Sequence, residues 1–179
     1  MKIQLFDIMV LYPLFQAVKH RKDNSEVLVD PIFGHSNTWL GKGYYFWDGA
    51  IELAHWWGKV HYQNCYDIYQ AKAEFDDSVF FDLFGSTSDL RLFRDVTKML
   101  QEKFNYPQLT VSAVLNEMRK RTSFSNTVIR ARSEHWIPGS MHLRFVDYDR
   151  SFMVMLPAVQ VCITDRSAIK EYKKIFTQP

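Results

Sequence analysis

Apolar and polar residues alternate over several stretches of the chain. Residues 67–75 carry a continuous apolar side made of Tyr69, Ala71, Ala73 and Phe75. Side chains of a strand point to opposite faces in turn, so this period of two predicts a half-buried strand. Residues 3–12 predict another strand, which we expect to end at Pro13 because proline cannot donate to a sheet ladder. Residues 76–83 predict a turn and a second short strand. Further strands are predicted in residues 127–131, 141–146, 152–156 and 159–164, with 141–146 and 152–156 forming a hairpin joined at 147–150.

The residues around Trp56 and Trp57 show a helical period. Residues 49–63 predict a helix, with Asp48 as its N-cap. The positions that recur at helical spacing and should face the core are Ala50, Leu53, Ala54, Trp57 and His61. Trp56 lies roughly 100° further round the helix, at the edge of that buried face.

Two more helices are predicted in the middle of the chain. The first is capped by Ser88 or Asp89 and runs to Phe104, and the second begins at Thr110. Residues after Ser167 predict a short helix or an extended tail. Strands and helices in this order predict one α+β domain over residues 1–179.

Composition narrows the class of protein. The 179 residues are 47% hydrophobic and 16% aromatic, which indicates a folded chain. The net charge of +2 is too small to imply binding to nucleic acid. No apolar run is long enough to span a bilayer and the N-terminus lacks a signal-peptide pattern, so we expect a cytoplasmic protein without membrane contact. Cys65 and Cys162 are expected to be reduced, with a single disulfide as the alternative. The six histidines show no metal-ligand spacing with either cysteine, so no metal is assigned.

The segment with the most specific chemistry is Gly41-Lys42-Gly43-Tyr44-Tyr45-Phe46. Glycine adopts positive φ without a steric penalty, so two glycines predict a tight elbow that leads into an aromatic strand. Such an elbow can bring backbone amides and ring faces against a flat ligand. From composition alone, an ordinary core explains these aromatic residues better than a ligand site does.

This hexapeptide resembles the glycine-lysine-glycine-x-tyrosine-phenylalanine signature of ADP-ribosyltransferases of the diphtheria-toxin and poly-ADP-ribose polymerase type. The resemblance implies an α+β split sandwich of two antiparallel sheets with helical insertions, and NAD as the substrate. It also implies that Gly41 and Gly43 shape the pocket, that Tyr45 stacks on nicotinamide, and that Trp56 closes the sandwich from the following helix. Stacking and cation–π attraction would hold the charged ring there.

The C-terminal part resembles the last signature strand of the same family. The segment 159–165, followed by Ile169 and Tyr172, aligns Gln160 with the family's glutamate. Alternation along this strand places Gln160 on the face opposite Val159, Val161 and Ile163. Glutamine keeps hydrogen bonds to the ribose or the acceptor but loses the negative charge that stabilises an oxocarbenium-like state. The resemblance therefore implies transfer of a single ADP-ribose, or no catalysis, and argues against chain elongation.

The first family motif departs from its pattern. Where the family has a histidine-glycine pair, this chain reads Tyr12-Pro13-Leu14. The resemblance gives Leu14 the backbone contacts to the nicotinamide amide, while Pro13 replaces the ribose-binding histidine. His35, or alternatively His20, is the candidate to supply the missing contact.

These features favour an NAD-binding mono-ADP-ribosyltransferase-like protein that modifies a protein or nucleic-acid acceptor. Stand-alone bacterial domains of this kind often act as toxins or defence effectors, so a cognate antitoxin or neighbouring protein is an expected partner. The alternatives are a catalytically degenerate module that binds NAD, ADP-ribose or nucleic acid, and an NAD glycohydrolase. The pair Glu134-His135 and the cationic run 119–121 are better explained as solvated surface.

Overall fold

The computed structural model describes residues 8–20, 30–35, 38–104, 109–121, 123–133, 142–144 and 152–179. Within these ranges the chain forms three α-helices and ten strands, which confirms the α+β class. The helices are α1 (Ile51–His61), α2 (Thr87–Phe104) and α3 (Val111–Arg121). The strands are β1 (Ile8–Lys19), β2 (Phe33–Gly34), β3 (Gly43–Asp48), β4 (Tyr66–Asp76), β5 (Phe80–Leu83), β6 (Val128–Arg132), β7 (His142–Arg144), β8 (Phe152–Val154), β9 (Val159–Ile163) and β10 (Ile169–Gln178).

Eight of these strands form one mixed sheet. Its order is β10-β4-β1-β3-β9-β6-β5, with β2 paired to β3 beside this path. All neighbours are antiparallel except β5 and β6, which run parallel. β7 and β8 pair as a separate antiparallel ribbon, as predicted for the hairpin, whose connection at 147–150 lies outside the described residues. The predicted start at 3–7 and the pair Glu134-His135 also lie outside them.

The large sheet must curl strongly. β4 and β5 lie five positions apart in the sheet order, which is roughly 24 Å in a flat sheet. Yet only Asp77–Val79 connects them, a link that reaches at most about 14 Å. The two halves of the sheet therefore approach each other over one face and enclose a buried cluster, here called the strand core. Its buried members are Leu14, Phe46, Ala71, Ala73, Phe75, Val128, Val161, Ile163, Ala168 and Ile169.

The helices cover the other face of the sheet. α1 contributes Leu53 and Ala54 to a cluster with Phe15, Trp47 and Ile68. α3 contributes the buried residues Val114, Leu115 and Met118 to a second cluster that also includes Leu100 and Cys162. β3 therefore lies between the part of the sheet that α1 covers and the part that α3 covers.

The first strand does not end at Pro13, contrary to the prediction. β1 continues to Lys19, and its register against β4 shifts between Leu11 and Leu14. One extra residue of β1 is accommodated there, so Pro13 lies in a β-bulge. A bulge is one of the few places where a sheet tolerates a residue without an N–H donor, which explains why the strand passes through it.

Two predicted helix caps were wrong, and one helix begins where it was expected to. Asp48 is the last residue of β3, and α1 is preceded by Ala50 without a side-chain cap. Asp48 instead accepts a hydrogen bond from Arg130 Nε at 2.6 Å, so its carboxylate serves an ion pair. Ser86 rather than Ser88 or Asp89 caps α2, since its hydroxyl accepts from the Asp89 amide at 3.2 Å. Thr110 precedes α3 as predicted and accepts from the Ala113 amide.

The C-terminal segment is a strand rather than the predicted short helix or extended tail. After a short 3₁₀ turn at Arg166–Ala168, β10 pairs with β4 along almost its whole length. None of the helices in the described ranges is long and apolar enough to cross a membrane. Cys65 and Cys162 are both free thiols.

Candidate functional site

The sheet splits along one edge of β3. β9 occupies the opposite edge, where it pairs with residues from Tyr44 to Trp47. On the split edge, β1 pairs with Trp47 and Asp48, while β2 pairs with Gly43 and Tyr44. No strand pairs with Tyr45 or Phe46 on that edge among the described residues, so β1 and β2 diverge around a gap.

Gln16 of β1 fills the base of this gap. Its amide nitrogen donates to the carbonyl oxygens of Ile32 and Tyr45, both at 3.1 Å. Its amide oxygen accepts from the Ile32 N–H and the Tyr172 hydroxyl, both at 2.9 Å. Both amide protons and both oxygen lone pairs are thus used, although the residue is only 7% exposed. Gln16 was not among the predicted site residues, although it stands out in the sequence as a lone polar residue within an apolar run.

A cavity of about 470 Å³ opens at the split. Its walls combine β1, β2 with the segment before it, the residues just before the glycine elbow, β3, β9, and α1 with the residue that follows it. It is lined by Phe15, Gln16, Ala17, Ile32, Gly34, Thr38, Trp39, Tyr45, Phe46, Trp47, Trp57, Tyr62 and Gln160. Among the described residues the lining includes no carboxylate and no cationic side chain, so the described walls are aromatic and amide surfaces.

Tyr45 lines the cavity, and its hydroxyl group is tied to the elbow. The hydroxyl donates to the Gly41 carbonyl oxygen at 2.6 Å and accepts from the Leu40 amide at 3.0 Å. Burial raises the pKa of the Tyr45 phenol, and the neighbouring Cys162 thiol adds to that shift. Tyr45 is therefore a neutral phenol in the physiological range, and its ring is held in place by the backbone of the elbow.

Both elbow glycines are required by the backbone. Gly41 has φ +93°, in the left-handed region that favours glycine. At Gly43 a Cβ atom would lie 2.6 Å from Cys162 Sγ and 2.9 Å from the Ile163 carbonyl oxygen. Neither glycine lines the cavity directly. They set the path that brings Trp39 and Tyr45 to it.

Gln160 lies in the cavity wall at the predicted face of β9. Its amide oxygen accepts a hydrogen bond from Trp39 Nε1 at 2.5 Å. An indole N–H can only donate, so the amide oxygen must face Trp39 and the amide nitrogen can donate to a ligand. The predicted alternation is confirmed, because Val161 and Ile163 enter the strand core on the opposite face.

The tryptophan that α1 contributes to the cavity is Trp57 rather than Trp56. Trp57 was expected in the core, yet it lines the cavity and stacks on His61 at 3.7 Å between ring centroids. Trp56 packs against Trp57 at 6.1 Å and is absent from the cavity wall. His61 is exposed, contrary to its expected place on the buried face. The residues that face the cleft depend on how α1 crosses the sheet, which the helical period does not specify.

The predicted first motif is not brought to the cavity. Leu14 is fully buried in the strand core, and the Pro13 carbonyl accepts from the Gly49 amide at 3.0 Å. Tyr12 is 54% exposed, and its hydroxyl donates to Gln70 at 3.3 Å. His35 is exposed and packs edge-on against Phe33 at 5.6 Å.

The bulge explains this displacement of the first motif. Before the bulge Met9 and Leu11 pack against the strand core, but the extra residue gives the next such position to Leu14, so Phe15 and Ala17 face the helix side. The β1 residues that line the cavity are therefore Phe15, Gln16 and Ala17.

Comparison with protein-family models, curated proteins and solved structures finds no match. No group of three or more side chains in the described ranges could hold a metal ion. The site is therefore characterised by its own geometry. An uncharged aromatic cleft of this size can enclose a flat ring, with Gln160 and Gln16 amides at its polar end.

Proposed function

We propose that this protein binds NAD in the cleft at the split of the sheet and acts as a mono-ADP-ribosyltransferase. The observation that carries the proposal is the meeting of two distant segments in one cavity. Tyr45 comes from the glycine elbow and Gln160 from the C-terminal strand, and both line the cleft. These are the two segments whose sequences resemble the transferase signatures. The split sandwich of that family is proposed here as the finer description of the fold.

The cleft suits the nicotinamide end of NAD. Oxidised nicotinamide is a flat ring with a positive charge, and such rings are attracted to the faces of tryptophan and tyrosine. Tyr45 and Trp57 supply such faces, and Trp57 takes the role first expected of Trp56. Each contact of this kind contributes about 0.5–2 kcal/mol.

The reaction would break the bond between the ribose C1′ and the nicotinamide nitrogen. The bonding electron pair leaves with nicotinamide, and a nucleophile of the acceptor forms the new bond to C1′ and loses its proton. The transition state carries positive charge on the sugar, as in glycoside cleavage. Gln160 would hold a ribose hydroxyl or orient the acceptor through its amide, without the charge stabilisation that a carboxylate gives. The proposed activity is therefore a single transfer to a protein or nucleic acid.

The matched pair Tyr45→Ala and Tyr44→Ala tests this assignment. Tyr44 lies on the same strand but packs against the strand core, away from the cleft. NAD binding is followed by quenching of tryptophan fluorescence, and turnover by released nicotinamide. We expect the Tyr45 variant to lose both signals while the Tyr44 variant, if folded, keeps them. Equal NAD affinity in wild type and a folded Tyr45→Ala variant would refute the site.

A non-catalytic NAD-binding module is the second candidate. It is favoured by one observation, the lack of any carboxylate among the residues that line the cavity. Gln160→Glu separates the two functions, because a restored carboxylate should speed nicotinamide release in a functional transferase site. Wild-type binding without release would identify the module. Release without labelling of any acceptor would identify an NAD glycohydrolase instead.

The proposed setting follows from the same resemblance. A cytoplasmic toxin or defence effector would meet its acceptor and a cognate antitoxin in the same compartment. Labelling with a tagged NAD analogue in a bacterial lysate tests this setting, since a toxin-type transferase should label a small number of discrete bands.

A further inference from the structure

Arg119, near the end of α3, carries a buried guanidinium nitrogen without a partner. Nη2 has no hydrogen-bond acceptor within the described part of the chain, although it is shielded from solvent. The side chain otherwise makes a long bond from Nη1 to Asn116 Oδ1 at 3.4 Å and lies 5.9 Å from the Phe124 ring centroid. A buried polar nitrogen without an acceptor is unfavourable, the more so when it is charged.

The neighbouring cations on α3 do not share this feature. Lys120 and Arg121 both pair with Glu117, at 3.1 Å and 2.6 Å. Arg119 forms no ion pair with an acidic residue in the described ranges. The end of α3 therefore holds one cation that lacks a counter-charge, beside two that have one.

Arg119 lies directly beside the glycine elbow. Its Nη1 atom is 3.7 Å from the position that a Cβ atom on Gly41 would take. The Gly41 carbonyl in turn accepts the hydroxyl of Tyr45, whose ring lines the cleft. Lys42, the next residue of the elbow, is exposed and brings a second positive charge to the same loop.

We propose that Arg119 and the elbow bind a phosphate group, and specifically the pyrophosphate of a dinucleotide whose ring occupies the cleft. Arg119 as a whole residue is only partly buried, so we expect its guanidinium group to be within reach of a phosphate bound at the elbow. A rotation of this long side chain then lets Nη2 donate as well, which gives the bidentate contact that arginine makes with phosphate. This inference rests on the proposed function for the identity of the ligand, but the phosphate site itself does not.

The test compares wild type with Arg119→Gln and with Lys120→Gln as the control. Both variants remove one positive charge from the same turn, but Lys120 is paired with Glu117. Titration calorimetry is performed with NAD, with nicotinamide riboside, which lacks phosphate, and with inorganic pyrophosphate. We expect Arg119→Gln to weaken NAD and pyrophosphate binding roughly tenfold or more, and to leave nicotinamide riboside unchanged. The control should match wild type within about twofold.

Stability provides a readout that does not require NAD. Pyrophosphate should raise the Tm of wild type and of Lys120→Gln, but not that of Arg119→Gln, because a ligand stabilises only a protein that binds it. Removal of an unpartnered charge should not itself lower the free energy of unfolding. Circular dichroism confirms that each variant is folded.

The possible results separate the two proposals. Pyrophosphate binding that depends on Arg119, without any NAD binding, would uphold the phosphate site and refute the proposed function. NAD binding that Arg119→Gln leaves unchanged would overturn the phosphate site and leave the proposed function standing. A wild-type protein that binds neither pyrophosphate nor NAD would overturn both.

Discussion

Replacement of Gln16 by leucine is the sharpest test of how the cleft is built. The substitution keeps a similar volume but removes four hydrogen bonds, to the N–H and carbonyl of Ile32, the carbonyl of Tyr45 and the hydroxyl of Tyr172. An unsatisfied buried polar group costs about 1–3 kcal/mol. Water from the adjoining cavity can reach some of these groups, so the low end applies to each. The expected loss is about 3–5 kcal/mol of unfolding free energy.

The matched control is Gln70→Leu. Gln70 lies opposite Phe15 on the neighbouring strand, and its side chain makes one exposed contact with Tyr12 at 3.3 Å. The same chemical change there should cost less than about 1 kcal/mol. Urea denaturation followed by tryptophan fluorescence gives both values, and their difference isolates the role of the amide at the split.

The functional consequence of Gln16→Leu follows from the same contacts. Loss of the amide releases the segment at Ile32 from the strand that carries Tyr45, so the cleft should lose its shape even at temperatures where the protein stays folded. NAD affinity should fall in this variant and not in Gln70→Leu. The reasoning is refuted if Gln16→Leu loses no more stability than its control.

Two further predictions concern the elbow and the acid response. Gly43→Ala should lose about 1–3 kcal/mol of unfolding free energy by overpacking. Cys162→Ala in the same chain should restore only part of this loss, because the Ile163 carbonyl still obstructs the new Cβ atom. Full recovery of stability in urea denaturation would contradict this geometry. Burial lowers the pKa of His55 below its ordinary value, so the unfolded chain binds the proton more readily. Stability should therefore fall as pH drops below about 6.5, and His55→Phe should show a smaller fall than wild type in denaturation series from about pH 7.5 to 5.

The elements that local pattern determines were predicted well. The alternation over residues 67–75 corresponds to β4, and Tyr69, Ala71, Ala73 and Phe75 are all buried as expected. Gln160 was correctly placed on the face of its strand opposite Val161. Such predictions succeed because a strand with one buried face requires a period of two in its own sequence.

The features set by distant contacts could not be predicted in the same way. Pro13 is a strand breaker by local rules, but β4 pairs with β1 on both sides of the bulge and holds the strand together. The bulge then reverses which residues face the helix side, so Leu14 enters the strand core while Gln16 reaches the split. Likewise, Trp57 rather than Trp56 faces the cleft because of the way α1 lies on the sheet.

The C-terminal strand was not predicted from the sequence because it contains many charged residues. β10 contains Lys170, Glu171, Lys173 and Lys174, which are unusual for a buried strand but common on an exposed sheet edge. Its position at the edge of the sheet is a property of the whole topology. A charged segment therefore predicted a tail where a ten-residue strand is present.

The central claim, that NAD occupies the aromatic cleft, is tested most directly by titration of NAD into wild type, Trp57→Ala and Trp56→Ala. The two tryptophans are adjacent on α1, but only Trp57 lines the cavity. We expect measurable wild-type binding that Trp57→Ala weakens about five- to thirtyfold, as the loss of a largely desolvated stacking or cation–π contact of about 1–2 kcal/mol predicts. Trp56→Ala should stay within about twofold of wild type. Absence of wild-type binding, or a larger loss in Trp56→Ala than in Trp57→Ala, would contradict the account.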